Sequence, residues 1–280
     1  MLKSYLKRIY NLIIRPEMKI LPGQLAYFLV LSVFPFLTLV GYLGTKISVL
    51  YAPFISITQK ILPSDVTSIL LPFLNVNNTT GNSILIMIIG FLIISNGTHS
   101  IIVASNQLYG ISSEDYLKRR IKAFLMIIIF LFLFVFVIVV LAYGNIIMNH
   151  VLELEFVQNF KDNIRLAYVI VKWPISFILF FWILKLLYTM APDERIPSRF
   201  MNKGAFFTTV CWIVITYLYS FYVESIANYS IFYGSVSGII VMMIWVYLLS
   251  YIFVMGIAIN AEQYLYYKKM NKKEKKGNNN

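Results

Sequence analysis

Residues 82–109 form a long apolar stretch that carries a group of polar residues in its second half. About 20 apolar residues suffice to cross a bilayer as a helix, and this run contains the segment SNGTHS at residues 95–100. On a helix with about 100° per residue, the polar side chains fall on two adjacent lines. One line holds Ser95, His99 and Asn106, and the other holds Asn96, Ser100 and Gln107. Because an unsatisfied polar group in hydrocarbon costs several kcal/mol, we expect this helix to be central in a bundle, with its polar sector facing other helices or water.

Small residues mark a separate face of the same helix. Gly90, Gly97 and Ala104 are seven positions apart, which places them on nearly one side of a helix. Small side chains let two helix backbones approach closely in a membrane. This face therefore predicts a close contact with a neighbouring helix.

Five further apolar segments have the length of membrane spans. They cover residues 24–45, 122–147, 165–190, 204–226 and 235–262. Pro35 and Pro174 lie within the first and fourth of the six predicted spans. A proline inside a helix removes one backbone hydrogen bond and commonly kinks the helix. We therefore predict an all-α polytopic membrane protein with six transmembrane helices and with hinge candidates at Pro35 and Pro174.

Two regions outside the spans have amphipathic patterns. Residues 1–22 fit a helix that lies in the membrane interface and is attracted to anionic lipid, although a plain basic flank that fixes topology is the alternative. We expect Pro16 and Pro22 to separate this helix from the first span. The first outer loop, residues 46–81, predicts short amphipathic helices that cannot span. The chain thus divides into an interfacial helix at 1–22, a transmembrane domain at 23–263 and a basic, disordered tail at 264–280.

The composition agrees with a single membrane domain. Hydrophobic residues make up 59% of the chain, charged residues 13%, and the mean hydropathy is +0.75. Soluble domains typically contain about 25% charged residues. The one cysteine, Cys211, lies in an apolar run, so neither a disulfide framework nor a thiolate metal site is expected.

The distribution of Lys and Arg predicts the orientation in the membrane. The N-terminal segment carries five of them, the 109–122 loop four, the 191–203 loop three and the tail six, whereas the alternate loops together carry four. Basic residues concentrate on the cytoplasmic side of membrane proteins, so both termini are expected in the cytoplasm. The formal net charge of +12 therefore reports topology, and no nucleic-acid partner is needed to explain it.

The sequence gives little support to catalysis. Its two histidines, His99 and His150, belong to no recognisable metal-ligand spacing, and no phosphate-binding glycine loop occurs. We therefore expect no enzyme, no cofactor and no metal. The acidic pairs at 114–115 and 193–194 lie in basic loops and are interpreted as solvated loop charges.

Polar residues within the spans carry the functional hypothesis. Ser95, Asn96, His99, Asn106, Lys172 and Glu224 are candidates for lining a substrate pathway, because ionisable residues inside a membrane usually face the bundle interior. Lys172 and Glu224 have comparable depth in the fourth and fifth spans, which predicts an ion pair or a shared hydrated pocket. The alternatives are snorkelling of Lys172 to the interface and, for the second-span residues, hydrogen bonds between helices.

Basic residues in the predicted cytoplasmic loops are candidates for binding lipid headgroups. They are Arg119, Arg120, Arg195 and Arg199. Cationic clusters at this level attract anionic lipids, which makes membrane lipids the expected partner. The positive-inside rule by itself is the alternative explanation of these residues.

Several segments, taken in order, resemble the YihY/BrkB family of bacterial inner-membrane proteins. They are GQLAYFLVLSVFPFLTLVGYLG at 23–44, Ser95 with NQLY at 106–109, Ala191-Pro192 with KGA at 203–205, Tyr229 with YGS at 233–235, IWVY at 244–247 and GIAINAE at 256–262. The family often has a glutamate in the last of these motifs, where this chain has Ile257-Ala258-Ile259, so a role for that acid does not transfer.

The resemblance implies six helices with cytoplasmic termini in the bacterial cytoplasmic membrane. Family members are called virulence factors and are suspected of moving lipids or other solutes, and some have been labelled ribonuclease BN. This chain lacks the His/Asp cluster that a metal-dependent ribonuclease requires. We therefore expect a transporter or flippase-like translocator of an anionic or amphiphilic substrate. The alternative is a membrane scaffold or accessory protein that transports nothing, and the oligomeric state is left open.

Overall fold

The described part of the chain is helical. A computed structural model describes residues 14–46, 83–112, 116–138, 161–225 and 229–277, and no strand occurs within these ranges. The α-helices are α1 (Pro16–Lys46), α2 (Ser83–Tyr109), α3 (Tyr116–Ile138), α4 (Lys161–Met190), α5 (Asn202–Ser225), α6 (Tyr229–Tyr233) and α7 (Ser237–Gly277). Short 3₁₀ turns at Ser198–Met201 and Gly234–Val236 precede α5 and α7. The predicted all-α class is confirmed for these residues.

Three of the described helical segments are long and apolar enough to cross a membrane. They are Ile88–Tyr109, Ser198–Ser225 and Ser237–Asn271, and Pro174–Met190 is a shorter apolar helix. These segments coincide with four of the six predicted spans. The count of six stays a prediction, because the first and third predicted spans are not among these segments. The predicted helices of the first outer loop lie in residues 47–82, outside the described ranges.

The helices pack around α2 and α7. Helix α2 packs along α1 and α3, and α7 packs against α1, α2 and α5, while α4 packs on α5. Buried apolar side chains from six helices form one core. It includes Leu25, Ile102, Met126, Leu184, Phe253 and Ala258. Tyr109, the start of α3 and residues 191–201 lie at one end of the bundle, which we call the basic end. The core lies at this end.

The small-residue face of α2 is a close helix contact, as its spacing predicts. A Cβ atom added to Gly90 would lie 3.3 Å from the Cβ of Pro35 on α1. A Cβ added to Gly97 would lie 2.9 Å from the Oγ of Ser32. Ser32 donates hydrogen bonds to the Phe28 carbonyl at 2.6 Å and to the Ile93 carbonyl of α2 at 3.3 Å. The close approach therefore lets a serine of α1 reach the backbone of α2.

Helix α1 has no break at Pro22 and Gly23, so the expected separation at this point is wrong. The helix begins at Pro16, a favourable first position because the missing N–H would have no partner there, and it continues through Pro22. Met18, Leu21 and Leu25 are buried along one side of this segment. Their packing offsets the one hydrogen bond that Pro22 removes. Residues 1–13, where the interfacial helix is predicted, lie outside the described ranges.

The basic tail is helical as far as Gly277, which corrects the expectation of disorder from residue 264 onward. Lys and Glu are good helix formers, and α7 simply continues beyond its apolar part. Aromatic contacts also attach the tail to the bundle. The Tyr264 ring lies 5.4 Å from the Phe200 ring and 6.1 Å from the Tyr109 ring, and the Tyr267 ring lies 5.1 Å from the Phe200 ring.

Candidate functional site

The polar face of α2 is held against the first turns of α3. The His99 and Tyr116 rings lie 5.9 Å apart, and Arg120 donates from Nη1 to the Asn96 Oδ1 at 2.7 Å. On each helix the two contacts are about one turn apart. Residue numbers decrease along α2, from His99 to Asn96, as they increase along α3, from Tyr116 to Arg120, so the two helices run antiparallel here. Arg120 also donates from Nη2 to the Leu92 carbonyl at 3.4 Å. Asn96 thus has a charged partner on a neighbouring helix.

The end of α2 is fixed by its own cap. Gly110 has φ +65°, and the Ile111 N–H donates to the Asn106 carbonyl at 2.9 Å while the Gly110 N–H donates to the Gln107 carbonyl at 3.2 Å. This is the pattern of a Schellman cap, in which a glycine with positive φ ends the helix. The cap fixes the backbone of Asn106 at the basic end.

Asn106 joins a polar cluster of three segments, which we call the latch and which consists of Asn106, Lys122 and Asp193. Asn106 donates from Nδ2 to the Asp193 Oδ2 at 2.5 Å and accepts from the Asp193 N–H at 2.9 Å. Lys122 donates to the Asp193 Oδ1 at 3.0 Å and to the carbonyls of Ala191 and Pro192 at 2.9 and 2.5 Å. Lys122 therefore satisfies carbonyls at the end of α4, where a cation is favourable, and the latch connects α2, α3 and α4.

The latch shows a role that the sequence did not reveal. Asp193 does not fit the interpretation as a solvated loop charge, because its side chain is only 3% exposed and is paired with Lys122. The adjacent Glu194 does fit that interpretation, since it is 50% exposed and lies 3.7 Å from the amine of Lys268. No local pattern distinguishes the two acids, because the difference arises from α2 and α3, which are distant in sequence.

Several polar atoms around the α2 face are buried without a hydrogen-bond partner in the described structure. They include the Ser95 Oγ, the His99 Nε2, the Ser105 Oγ and the Arg119 Nε. Ser95 is 0% exposed. Arg119, Arg120 and Asp193 lie within electrostatic range of the His99 imidazole. Buried polar groups without partners are rare in proteins and call for a water, an ion or a ligand.

The other predicted pathway residues belong to α4 and α5. Glu224 is exposed near the end of α5, where it accepts a hydrogen bond from Ser220 at 3.2 Å. Lys172 lies in α4, but its side chain is outside the described part, so its pairing with Glu224 stays a prediction. Pro35 and Pro174 lie inside α1 and α4. Their hinge roles likewise stay predictions.

The four predicted headgroup arginines have different environments. Arg120 binds Asn96, and the Arg119 Nε is buried. The Arg199 guanidinium lies 4.9 Å from the centroid of the Phe200 ring and 5.3 Å from that of Tyr267. Arg195 is exposed. Within the described ranges, no three His, Cys, Asp or Glu side chains are grouped so that they could hold a metal ion.

Comparison with known proteins gives matches over most of the chain and over a short part of it. The family described as virulence factor BrkB matches residues 15–279. A ribonuclease-like protein of Bacillus subtilis (strain 168), YfkH, is 29% identical over 262 residues, which cover 92% of this chain and 94% of that protein.

Shorter matches are to UPF0761 membrane proteins. One from Pseudomonas paraeruginosa is 32% identical over 63 residues, which cover 22% of this chain and 15% of that protein. One from Chromobacterium violaceum is 33% identical over 67 residues, or 24% of this chain and 16% of that protein. No solved structure matches the chain.

Proposed function

Because the chain belongs to the virulence factor BrkB family of membrane proteins, we propose that it is a flippase-like translocator of an anionic or amphiphilic substrate. The observation that carries this proposal is the incompletely satisfied polar face of α2. Ser95 and His99 lie in a segment apolar enough to cross a membrane, and each has a buried polar atom without a partner among the described residues. An unsatisfied buried group costs about 1–3 kcal/mol, which a passing polar substrate or its water would recover.

The latch supports this proposal because its hydrogen bonds close one end of the proposed substrate pathway. Its hydrogen bonds join α2, α3 and the segment after α4 directly below the polar face. Translocation requires one end of the pathway to open while the other is closed. In the proposed mechanism, separation of Asp193 from Lys122 and Asn106 opens the basic end toward the cytoplasm. In this mechanism Lys172 and Glu224 are the polar residues that contact the substrate at the opposite end of the pathway. Pro35 and Pro174 allow α1 and α4 to bend.

The experiment that tests the proposal measures lipid movement in reconstituted vesicles. Phosphatidylglycerol with a fluorescent headgroup is placed in both leaflets, and dithionite quenches the outer leaflet alone, so that lipid movement exposes the protected half. The purified protein is expected to accelerate the loss of this protected half over protein-free vesicles. Ser95→Ala and His99→Gln are each expected to slow the loss about 5- to 10-fold, since one hydrogen bond contributes about 1 kcal/mol.

Thr209→Val is the matched control. Thr209 is also a buried hydroxyl in a membrane-crossing segment, but it donates within its own helix to the Ala205 carbonyl at 2.8 Å. Its replacement is expected to leave the rate within about twofold of the unmodified protein, because this bond is local to α5. Vesicles that lose the protected half no faster with the protein than without it would refute the proposal.

A membrane scaffold is the second candidate, and a specific observation favours it. Asn96 and Asn106 are bonded to Arg120 and Asp193 on other segments, and Thr98 donates to the Ala123 carbonyl of α3 at 3.1 Å. Such bonds hold helices together. A scaffold predicts that Asn96→Ala lowers the thermal stability of the bundle while no labelled amphiphile moves in vesicles of any composition tested. We do not propose an enzyme, and the ribonuclease-like name is that of the relative YfkH.

A further inference from the structure

We infer that the junction of α2 and α3 binds the phosphate group of an anionic phospholipid. The site consists of Ser95, His99 and Arg119, which we call the donor site. The inference rests on the proposed function, since it names the chemical class of the substrate that the translocator would take. It commits to a phosphate that carries acyl chains, and free phosphate is an outcome of the test.

Position along the two helices brings the three residues together. His99 contacts Tyr116, and Asn96 binds Arg120 one turn further along the antiparallel pair. Arg119 lies between Tyr116 and Arg120 in α3, and its charge acts on the His99 imidazole. Ser95 lies one turn from His99 on the same line of α2. The two contacts between the helices therefore hold Arg119 at the level of Ser95 and His99.

The chemistry of the unpartnered atoms selects an acceptor ligand. The Arg119 Nε carries a hydrogen and cannot accept, and the Ser95 hydroxyl and a neutral imidazole nitrogen can each donate. The nearby acceptors are already occupied, because Asp193 accepts from Lys122 and Asn106, and the Asn96 Oδ1 accepts from Arg120. The guanidinium groups of Arg119 and Arg120 give the junction a positive field. An oxyanion with several acceptor oxygens satisfies all three donors at once.

An apolar strip on α2 argues for a lipid rather than a soluble anion. Ile88 and Leu92 are 54% and 44% exposed, and they precede Ser95 and His99 on the same line of the helix. From His99 to Ile88 the helix rises by about 16 Å at 1.5 Å per residue, which matches half of a hydrocarbon core of about 30 Å. Arg120 reaches the Leu92 carbonyl where the strip meets the donors. An acyl chain along this strip would place its phosphate at the donor site.

The test measures bound lipid by native mass spectrometry of the full-length protein in detergent. Three probes are compared: palmitoyl-oleoyl phosphatidylglycerol, the diacylglycerol with the same acyl chains, and inorganic phosphate. Phosphatidylglycerol is expected to bind about tenfold more tightly than the diacylglycerol, since charge-assisted hydrogen bonds are the strong ones. Inorganic phosphate is expected not to compete at millimolar concentration, because it lacks the acyl chains.

Variants separate the donor site from general attraction to a basic surface. Arg119→Gln and Ser95→Ala are each expected to weaken binding of phosphatidylglycerol about 5- to 10-fold. Ser95→Ala removes one hydroxyl from a buried position and leaves the packing unchanged, so a loss of binding there is not a loss of fold. Lys118→Gln is the matched control, because Lys118 is an exposed cation beside Arg119. It is expected to change binding less than about twofold, as exposed charges contribute little.

Four results would overturn the inference. Equal losses for Lys118→Gln and Arg119→Gln would show general attraction, and equal binding of the diacylglycerol would show that the phosphate is not recognised. Saturation by inorganic phosphate alone would make the donor site a soluble-anion site. Unchanged binding in both donor variants would mean that Ser95 and Arg119 bind water molecules and not the phosphate group.

The vesicle assay distinguishes this inference from the proposed function. If phosphatidylglycerol binds at the donor site but the protein moves no lipid, the translocator proposal fails and the lipid site stands. If the protein moves lipid while Arg119→Gln and Ser95→Ala bind it like the unmodified chain, the inference fails and the translocator stands.

Discussion

Two glycines determine how closely α5 and α7 approach each other. A Cβ atom added to Gly204 would overlap the Gly256 carbonyl and the Asn260 amide, and one added to Gly256 would overlap the hydroxyls of Thr208 and Tyr188. The Asn260 Oδ1 accepts from the Gly204 N–H at 2.7 Å, and the Tyr188 hydroxyl donates to the Phe253 carbonyl at 3.0 Å. The small residues thus make room for hydrogen bonds between helices, which are valuable in a membrane.

Gly204→Ala is expected to destabilise the protein by about 1–3 kcal/mol, because the new methyl group must displace backbone rather than a flexible side chain. The midpoint of thermal unfolding in detergent measures this effect. Gly23→Ala is the matched control, since a Cβ there meets nothing within 4 Å. It is expected to be neutral or to stabilise α1 by up to about 1 kcal/mol. Equal effects of the two substitutions would contradict the close contact.

Adjacent acids at 193 and 194 allow a second comparison of single residues. Asp193→Asn keeps the shape of the latch but leaves Lys122 without its buried counter-charge, and breaking such a pair costs up to about 3–5 kcal/mol when both partners are buried. Because Lys122 is 26% exposed, the expected loss is smaller, about 1–3 kcal/mol. Chemical denaturation in detergent checks this value. Glu194→Gln, which removes an exposed pair, is expected to cost less than about 1 kcal/mol.

These residues show which parts of the site could be predicted from the sequence. The face of Gly90 and Gly97 follows from a regular spacing on one helix, and the polar lines of Ser95 and Asn96 do as well. The partners of those residues depend on which segments meet in space. Asp193 and Glu194 look alike in the chain, and only the approach of α2 and α3 makes one of them a buried ion-pair partner.

Among the elements, the C-terminal part of α7 differs most from its sequence-based expectation. Composition alone suggested a disordered tail, because Lys and Asn dominate it. The helix continues because Tyr264 and Tyr267 contact Phe200, and a few aromatic contacts outweigh a polar composition. The uninterrupted α1 has a similar explanation, since burial of Met18, Leu21 and Leu25 extends across Pro22. Local signals such as proline and charge were overridden in both cases by packing between elements.

Arg199 is expected to hold the extended end of α7 against the bundle. Its guanidinium lies over the rings of Phe200 and Tyr267, and such contacts contribute about 0.5–1 kcal/mol at exposed sites. Arg199→Gln should therefore speed amide hydrogen exchange in residues 264–271 by about 2- to 5-fold, as followed by mass spectrometry. Arg195→Gln removes an exposed arginine from the same loop and serves as the control. Equal exchange in the two variants would contradict this docking role.

At the scale of the whole molecule, the polar cluster and the basic charge occupy the same end. The latch, the donor site, the cations at the start of α3 and those of residues 191–203 all lie at the basic end, where the apolar core is also located. A substrate entering there would meet cations before it met the polar face of α2. This arrangement makes the orientation in the membrane decisive for the direction of entry.

The asymmetry of Lys and Arg predicts an orientation in the membrane, and reporter fusions test this prediction. Alkaline phosphatase is active only outside the cytoplasm, whereas green fluorescent protein exported through the general secretory route does not fluoresce. We expect a fluorescent, phosphatase-inactive fusion after Gly277, and an active phosphatase fusion after Lys60 in the predicted outer loop, because basic loops are retained in the cytoplasm. Replacing the cations of the 109–122 loop by Gln should weaken this preference. The same number of Gln substitutions in the tail should weaken it less, since the early spans usually dominate the choice of topology. An active phosphatase after Gly277 would invert the orientation and place the basic end, with its latch and donor site, on the outer face of the membrane.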